Sequence, residues 1–335
     1  MSKLGQQQSC GLAVSRRKVM FGAAASLAAP TMAWAVPDFP SHPIQFLVPF
    51  TPGGGADTLA RLVAADAGAR LGQPVVIENK AGAGGNIAAQ VVSKAKPDGY
   101  TLLEGNLSHA IAMTMSRKPL YDIVKDFAPI TNLGSVPFVL CVNVDTKLHS
   151  IADVIASAKA QPDVLNYASS GVGGPSHLAM ELFKMTTGVK VTHVPYKGAS
   201  PAVEDLIGGR VEMGFLTIPA AAPMLRAGHL RALGVASLKR VDGLPDVPTI
   251  AESGFPGFEA ATWFGVMAPV GTPAEVITKL HDVFIAALAV PETKKRLEAE
   301  GFQLNGGSPA EFATYIDAET RKWAPVVRAA GAVTE

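Results

Sequence analysis

The residues in this chain best suited to chemistry are small, hydroxylated and neutral, and they gather where an apolar run turns into a helix. Thr51-Pro52-Gly53-Gly54-Gly55-Ala56-Asp57 follows the run Ile44 to Pro49 and leads into an amphipathic stretch. Backbone N–H groups at such a turn, with the positive end of the helix dipole behind them, suit a carboxylate. Gly54, Gly55 and Ala56 are therefore assigned to ligand contact, with Phe50 beside them. The three glycines could equally do no more than make a tight turn capped by Asp57. A capping carboxylate would compete with an anion for the same donors, so Asp57 is read as structural. Ser169, Ser170, Ser176 and His177 lie at a second strand-to-helix turn that also contains Gly174, and their hydroxyls and imidazole can orient an acid directly or through water. For His177 a structural role stays open, because a helix N-terminus disfavours its protonated form. Ser108 and Thr217 follow two further apolar runs and complete the candidate set. Lys197, after Pro195-Tyr196, is either a source of positive charge or a solvated surface lysine.

Catalytic patterns are missing. No Gly-x-Ser-x-Gly elbow occurs, and no phosphate-binding Gly-x-x-x-x-Gly-Lys-Ser/Thr. Gly82-Ala83-Gly84-Gly85-Asn86-Ile87 starts like a dinucleotide fingerprint but has Ile87 where the third Gly or Ala belongs. The seven histidines (42, 109, 149, 177, 193, 229, 281) show no metal-ligand spacing. No metal and no cofactor is expected, and binding without turnover is favoured over an exported α/β enzyme acting on a small acid.

Composition narrows the partners. The 335 residues carry 29 basic against 28 acidic side chains, a formal charge of +1, with 48% apolar residues. That composition forms a core and leaves no broad basic surface, so nucleic acid is excluded as a partner. Ser15-Arg16-Arg17-Lys18, the Ala-rich stretch from Val19 to Ala29 and Ala33-Trp34-Ala35 read as a twin-arginine-like export signal cleaved near Ala35. The apolar stretch, broken by Pro30, is shorter than the ~20 residues of a membrane span. Removing residues 1–35 leaves 25 basic against 28 acidic side chains and Cys141 as the sole cysteine. A free, soluble, mildly acidic periplasmic monomer without a disulfide is expected.

The candidate residues are positioned by repeated units of short strand, glycine-rich turn and amphipathic helix, the pattern of an α/β fold with parallel sheets. Ile44 to Pro49, Val75 to Glu78 and Tyr100 to Leu103 begin one series. Val164 to Ala168, Val189 to Val194 and Val211 to Leu216 begin another. Two longer β-like runs, 138–143 and 261–267, bracket the second series and read as crossing strands. Two doubly wound lobes follow, one from 36–138 with 261–335 and the other from 139–260, with the ligand in the cleft at the carboxyl ends of the strands. Ser308-Pro309-Ala310-Glu311 reads as a capping box for the last helix.

These segments resemble the Bug family of extracytoplasmic solute receptors, the binding-protein component of tripartite tricarboxylate transporters. The resemblance rests on Pro49-Phe50-Thr51-Pro52-Gly53-Gly54-Gly55-Ala56-Asp57 with Arg61, on Leu71 to Gly85, and on Pro97-Asp98-Gly99-Tyr100-Thr101-Leu102. It continues through Ser176-His177-Leu178, His193-Val194-Pro195-Tyr196-Lys197-Gly198, Leu244 to Thr249 and Gly271-Thr272-Pro273. It implies a two-lobed type II periplasmic-binding-protein fold. It also implies capture of a small organic anion or amino-acid-like ligand without chemistry, and delivery to membrane transporter subunits; a sensor kinase is the alternative recipient. Glu104 departs from the pattern, standing where relatives usually carry an apolar or small residue.

Overall fold

The computed structural model describes residues 39–52, 55–196 and 198–333. The proposed export signal, Gly54 and Lys197 lie outside them. The first βα unit is β1 (Ile44–Val48) and α1 (Gly55–Leu71), followed by β2 (Val75–Asn79) and α2 (Asn86–Ser93), then β3 (Thr101–Asn106) and α3 (Leu107–Met115). α1 buries Leu59, Val63 and Ala67 on its inner face, whereas Leu62, which shares their apolar spacing, is only partly buried. β4 (Phe127–Asn143) leads to α4 (Ile151–Ala160), β5 (Asn166–Ser169), α5 (Pro175–Thr187), β6 (Thr192–Pro195), α6 (Ala199–Ile207), β7 (Met213–Thr217), α7 (Ile218–Arg226) and β8 (Leu230–Val235). The chain closes with β9 (Ala261–Pro269), α8 (Ala274–Leu288), α9 (Pro291–Ala299), β10 (Gln303–Leu304) and α10 (Pro309–Ala329).

The strands join in the order β2-β1-β3-β9-β4-β7-β5-β6, with β8 and β10 also pairing to β4. β2, β1 and β3 are mutually parallel, as are β6, β5 and β7, and each set meets an antiparallel neighbour. The two halves therefore share one winding pattern, each with its helices on the faces of a parallel core. β4 serves both. Its stretch from Phe127 to Pro137 pairs with β9, and its stretch from Phe138 to Asn143 pairs with β7 and β8.

At the crossing three backbone hydrogen bonds close a ring. Phe138 N–H donates to Ala260 C=O (3.0 Å), Ala260 N–H to Ala236 C=O (2.9 Å), and Ala236 N–H to Phe138 C=O (2.7 Å). The run 138–143 is thus the second part of a 17-residue strand that starts at Phe127. The i, i+4, i+7 spacing of Leu178, Leu182 and Met185 does not mark the inner face of α5. Leu178, Ala179, Met180 and Phe183 are buried, whereas Met185 is 50% exposed.

Candidate functional site

The carboxyl ends of β1, β3, β5 and β7 turn into helices α1, α3, α5 and α7, and these turns enclose a cavity of about 290 Å³. That is the small end of the ~300–1,000 Å³ usual for ligand pockets. Phe50, Gly55, Ala56 and Ser108 line it from one half, and Ser169, Ser170, Ser176 and Thr217 from the other. The cavity lining contains no Lys, Arg, His, Asp or Glu among the described residues. Whatever polar contact the cavity offers comes from hydroxyls, backbone groups and the N-termini of helices.

Each turn is locked by its own side chains. Asp57 is buried and points away from the cavity; its carboxylate accepts from Arg61 Nε at 2.9 Å and from Asn79 Nδ2 at 2.8 Å. The same Asn79 amide donates to Phe50 C=O at 3.0 Å, which ties the end of β1 to the edge strand β2. A Cβ at Gly55 would come 3.5 Å from the Phe302 ring, so the start of α1 lies directly against that aromatic.

α3 begins with a capping box. Asn106 Oδ1 accepts from Ser108 N–H at 2.9 Å, and Asn106 N–H donates to His109 Nδ1 at 3.1 Å. Burial pushes the His109 ring down to about 4, so it is neutral. With Nδ1 accepting, the proton sits on Nε2 and reaches Gly85 C=O at 3.3 Å. Gly85 has a φ of +98° and is crowded by Pro49 and His109, so only glycine fits there.

The opposing turn is more heavily bonded. Ser176 Oγ accepts from Ser170 N–H at 3.1 Å and lies 3.0 Å from Ser170 Oγ. Ser169 Oγ is 2.6 Å from His193 Nε2 and accepts from Gly171 N–H at 3.2 Å. Its hydrogen-bonding capacity is largely spent inside the protein, which makes Ser169 a wall of the cavity more than a free donor.

His177, a ligand-lining candidate from sequence, is absent from the cavity wall. Its ring turns back beneath the loop, where Nδ1 accepts from Gly173 N–H at 3.0 Å and Nε2 faces Glu181 Oε1 at 3.7 Å. Burial is the main cause that lowers its titration. Gly174 caps α5 without entering the cavity and lines the outer cleft instead.

The strand-borne part of the wall carries no turn signal in the sequence. Val136 and Phe138 from β4, Phe215 and Leu216 from β7, Thr262 and Phe264 from β9, and Phe302 before β10 all face the cavity. In sequence these read as strand core, because alternation identifies a buried face without saying whether it meets a helix or a cleft. Among the described residues no group of side chains could hold a metal ion, and no helix is long and apolar enough to cross a membrane. Cys141 is buried in β4, and burial raises its thiol to about 12.

An α/β fold with two similarly wound halves and a hydroxyl-lined cavity between them is that of the two-lobed periplasmic solute-binding proteins. Residues 59–332 match the family described as tripartite tricarboxylate transporter family receptor, and the chain belongs to that family. It is 40% identical over 315 residues to Protein BugT of Bordetella pertussis, covering 93% of this chain and 96% of the relative. The structure of R. palustris Rpa4515 with adipate is 41% identical, with a TM-score of 0.79 over 88% of this chain and 99% of that one. MatC from Rhodopseudomonas palustris with bound malate is 35% identical, with a TM-score of 0.76 over 86% of this chain and all of that one (100%). These relatives are receptors, so the reading as an exported enzyme is set aside.

Proposed function

We propose that this chain captures a small organic carboxylate between its lobes and hands it to the membrane subunits of a tripartite tricarboxylate-type transporter. The observation that carries the reading is the cavity wall itself, in which helix N-termini and serine hydroxyls converge and, among the described residues, no charged side chain intrudes. Neutral, fixed donors favour an anion without demanding a counter-ion. The presence of adipate and malate in two relatives supports a carboxylate ligand.

The lobes are taken as 36–138 with 261–335 and 139–260, hinged where Phe138, Ala236 and Ala260 bond one another. Residues 1–35 act as a twin-arginine-like signal, and the exported chain works as a monomer. Denaturing the purified protein and identifying the released compound by mass spectrometry tests the reading. A small organic acid at one per chain is the expected result, and a phosphate ester, sugar or peptide in its place would overturn it. Capture of transporter subunits from the membrane supports delivery, whereas capture of a sensor kinase would replace that part of the account.

A further inference from the structure

Among the serines of the cavity wall, Ser108 alone has an uncommitted hydroxyl. Ser169 Oγ is bound to His193 and Ser170 Oγ to Ser176 Oγ, whereas Ser108 Oγ has no hydrogen-bond partner among the described residues. Ser108 lines both the cavity and the larger outer cleft, so it stands where the two join. Its hydroxyl is free to donate to or accept from a molecule held there. Its place depends on the first turn of α3.

That turn is fixed from behind by β3. Asn106 Oδ1 accepts from Ser108 N–H at 2.9 Å, and Asn106 Nδ2 donates to Glu104 Oε2 at 3.2 Å. Glu104 and Asn106 are both buried and, being at i and i+2 of one strand, share a face. A side-chain amide can lie either way round, exchanging the places of its acceptor oxygen and its donor nitrogen. The acceptor at Glu104 draws the nitrogen back along the strand and so presents the oxygen to α3. Among the described residues that nitrogen has no other acceptor. Burial raises the Glu104 carboxyl well above the usual range, so it accepts as a neutral acid and puts no negative charge behind the helix start. Asn106 also pairs across the sheet with Phe264, a second residue of the wall.

Resting on the receptor reading above, we infer that Glu104 is a positioning residue of the binding site: it touches no ligand, and by holding the Asn106 amide it sets the first turn of α3 and the place of the Ser108 hydroxyl in the cavity wall.

Two variants separate this role from simple packing. Glu104→Met keeps the reach of the side chain and removes the acceptor; Glu104→Gln keeps an acceptor oxygen. The first readout is amide hydrogen exchange of the folded, ligand-free proteins, followed by NMR. In Glu104→Met the Ser108 amide should exchange roughly five- to tenfold faster than in wild type, with the first turn of α5 in the other half unchanged, and Glu104→Gln should rescue the wild-type rate. The second readout is calorimetric titration with adipate and malate. Whichever acid wild type binds, Glu104→Met should bind it roughly three- to tenfold more weakly, and Glu104→Gln should restore the affinity. An unchanged Ser108 rate in Glu104→Met, faster exchange spread equally through both halves, or equal affinity in wild type and Glu104→Met would overturn the inference. Failure of wild type to bind either acid would tell against the carboxylate reading and not against Glu104, whose role the exchange rates then decide by themselves.

Discussion

The imidazoles of His177 and His193 lie stacked, with ring centroids 4.0 Å apart and planes 13° from parallel. Two imidazolium rings at that distance would repel each other, and both rings sit in a site that burial makes hostile to charge. The pair is therefore neutral. His177 holds Gly173 N–H, His193 meets Ser169 Oγ, and Tyr167 lies nearly parallel to both rings, 4.8 Å from His193 and 6.3 Å from His177. Tyr167 in turn donates to Glu181 at 2.6 Å, and Lys184 bonds the same carboxylate oxygen at 2.8 Å. The Ser169 to Gly174 turn that walls the cavity thus rests on neutral histidines.

This arrangement has a sign in pH. Burial first, and the neighbouring His177 second, push the folded His193 ring down to about 4 from an ordinary 6.5. Between those values the unfolded chain binds more protons than the folded one, so stability is full above 6.5 and falls as pH drops toward about 4. His193→Gln removes one titrating ring from this window. Urea unfolding at pH 7 and pH 5 should show a smaller loss for the variant than for wild type. An unchanged loss would place the acid sensitivity elsewhere.

Glu104 behaves in the opposite sense. It is fully buried on β3, burial raises its carboxyl well above 4.5, Oε2 accepts from Asn106 Nδ2 at 3.2 Å, and Oε1 has no hydrogen-bond partner. The folded state keeps a proton that the unfolded state releases, so stability declines as pH rises above about 4.5. Glu104→Gln abolishes that decline. Its melting temperature relative to wild type should therefore climb with pH, the difference being smallest near pH 4 and larger at pH 8; a constant difference across that range would count against a protonated Glu104.

Ser176 carries the clearest side-chain test in the cavity wall. Ser176→Ala removes a hydroxyl that orders Ser170 and faces the proposed carboxylate. Loss of a hydrogen bond to a charged acceptor costs about 1.5–3 kcal/mol, roughly ten- to a hundred-fold in affinity. Titration with the compound recovered from the wild-type protein checks this. Unaltered affinity would exclude the Ser170–Ser176 pair from the contact set.

Much of the fold was legible because its signals are local. The Ser308–Glu311 capping box forms as read, with Ser308 Oγ accepting from Glu311 N–H and Glu311 Oε2 accepting from Ser308 N–H at 2.8 Å. β4 was only half legible. Pro129, Gly134 and Pro137 make Phe127 to Pro137 look like a loop, yet the strand absorbs them through irregular pairing between Pro129 and Thr131 and between Asn132 and Gly134. α7 was hidden by Pro219 and Pro223, and α9 by a polar surface that buries Leu297 alone among its residues. At the site, glycine and serine turns announced themselves, whereas Phe138, Phe215, Phe264 and Phe302 did not. His177 was misplaced because sequence shows its position on the helix but not that its ring folds back under Gly173.

Closure between the lobes is expected to accompany binding, since the chain passes from one half to the other near Phe138 and back near Ala260, with Ala236 bonded between them. Small-angle scattering with and without the recovered ligand should show a smaller radius of gyration in the bound state. An identical radius at saturation would indicate a rigid site.

The central claim, that the cleft between the turns holds the ligand, is tested most directly at Gly55. Its modest spacing from Phe302 admits a Cβ at 3.5 Å, but the branched side chain of Gly55→Val would push into the cavity beside the α1 N-terminus. Calorimetric titration of this variant, its folding verified by circular dichroism, with the compound released from wild type is the measurement. One-to-one binding by wild type and none detectable by the folded variant is the expected result; equal affinity in the two proteins would contradict the account.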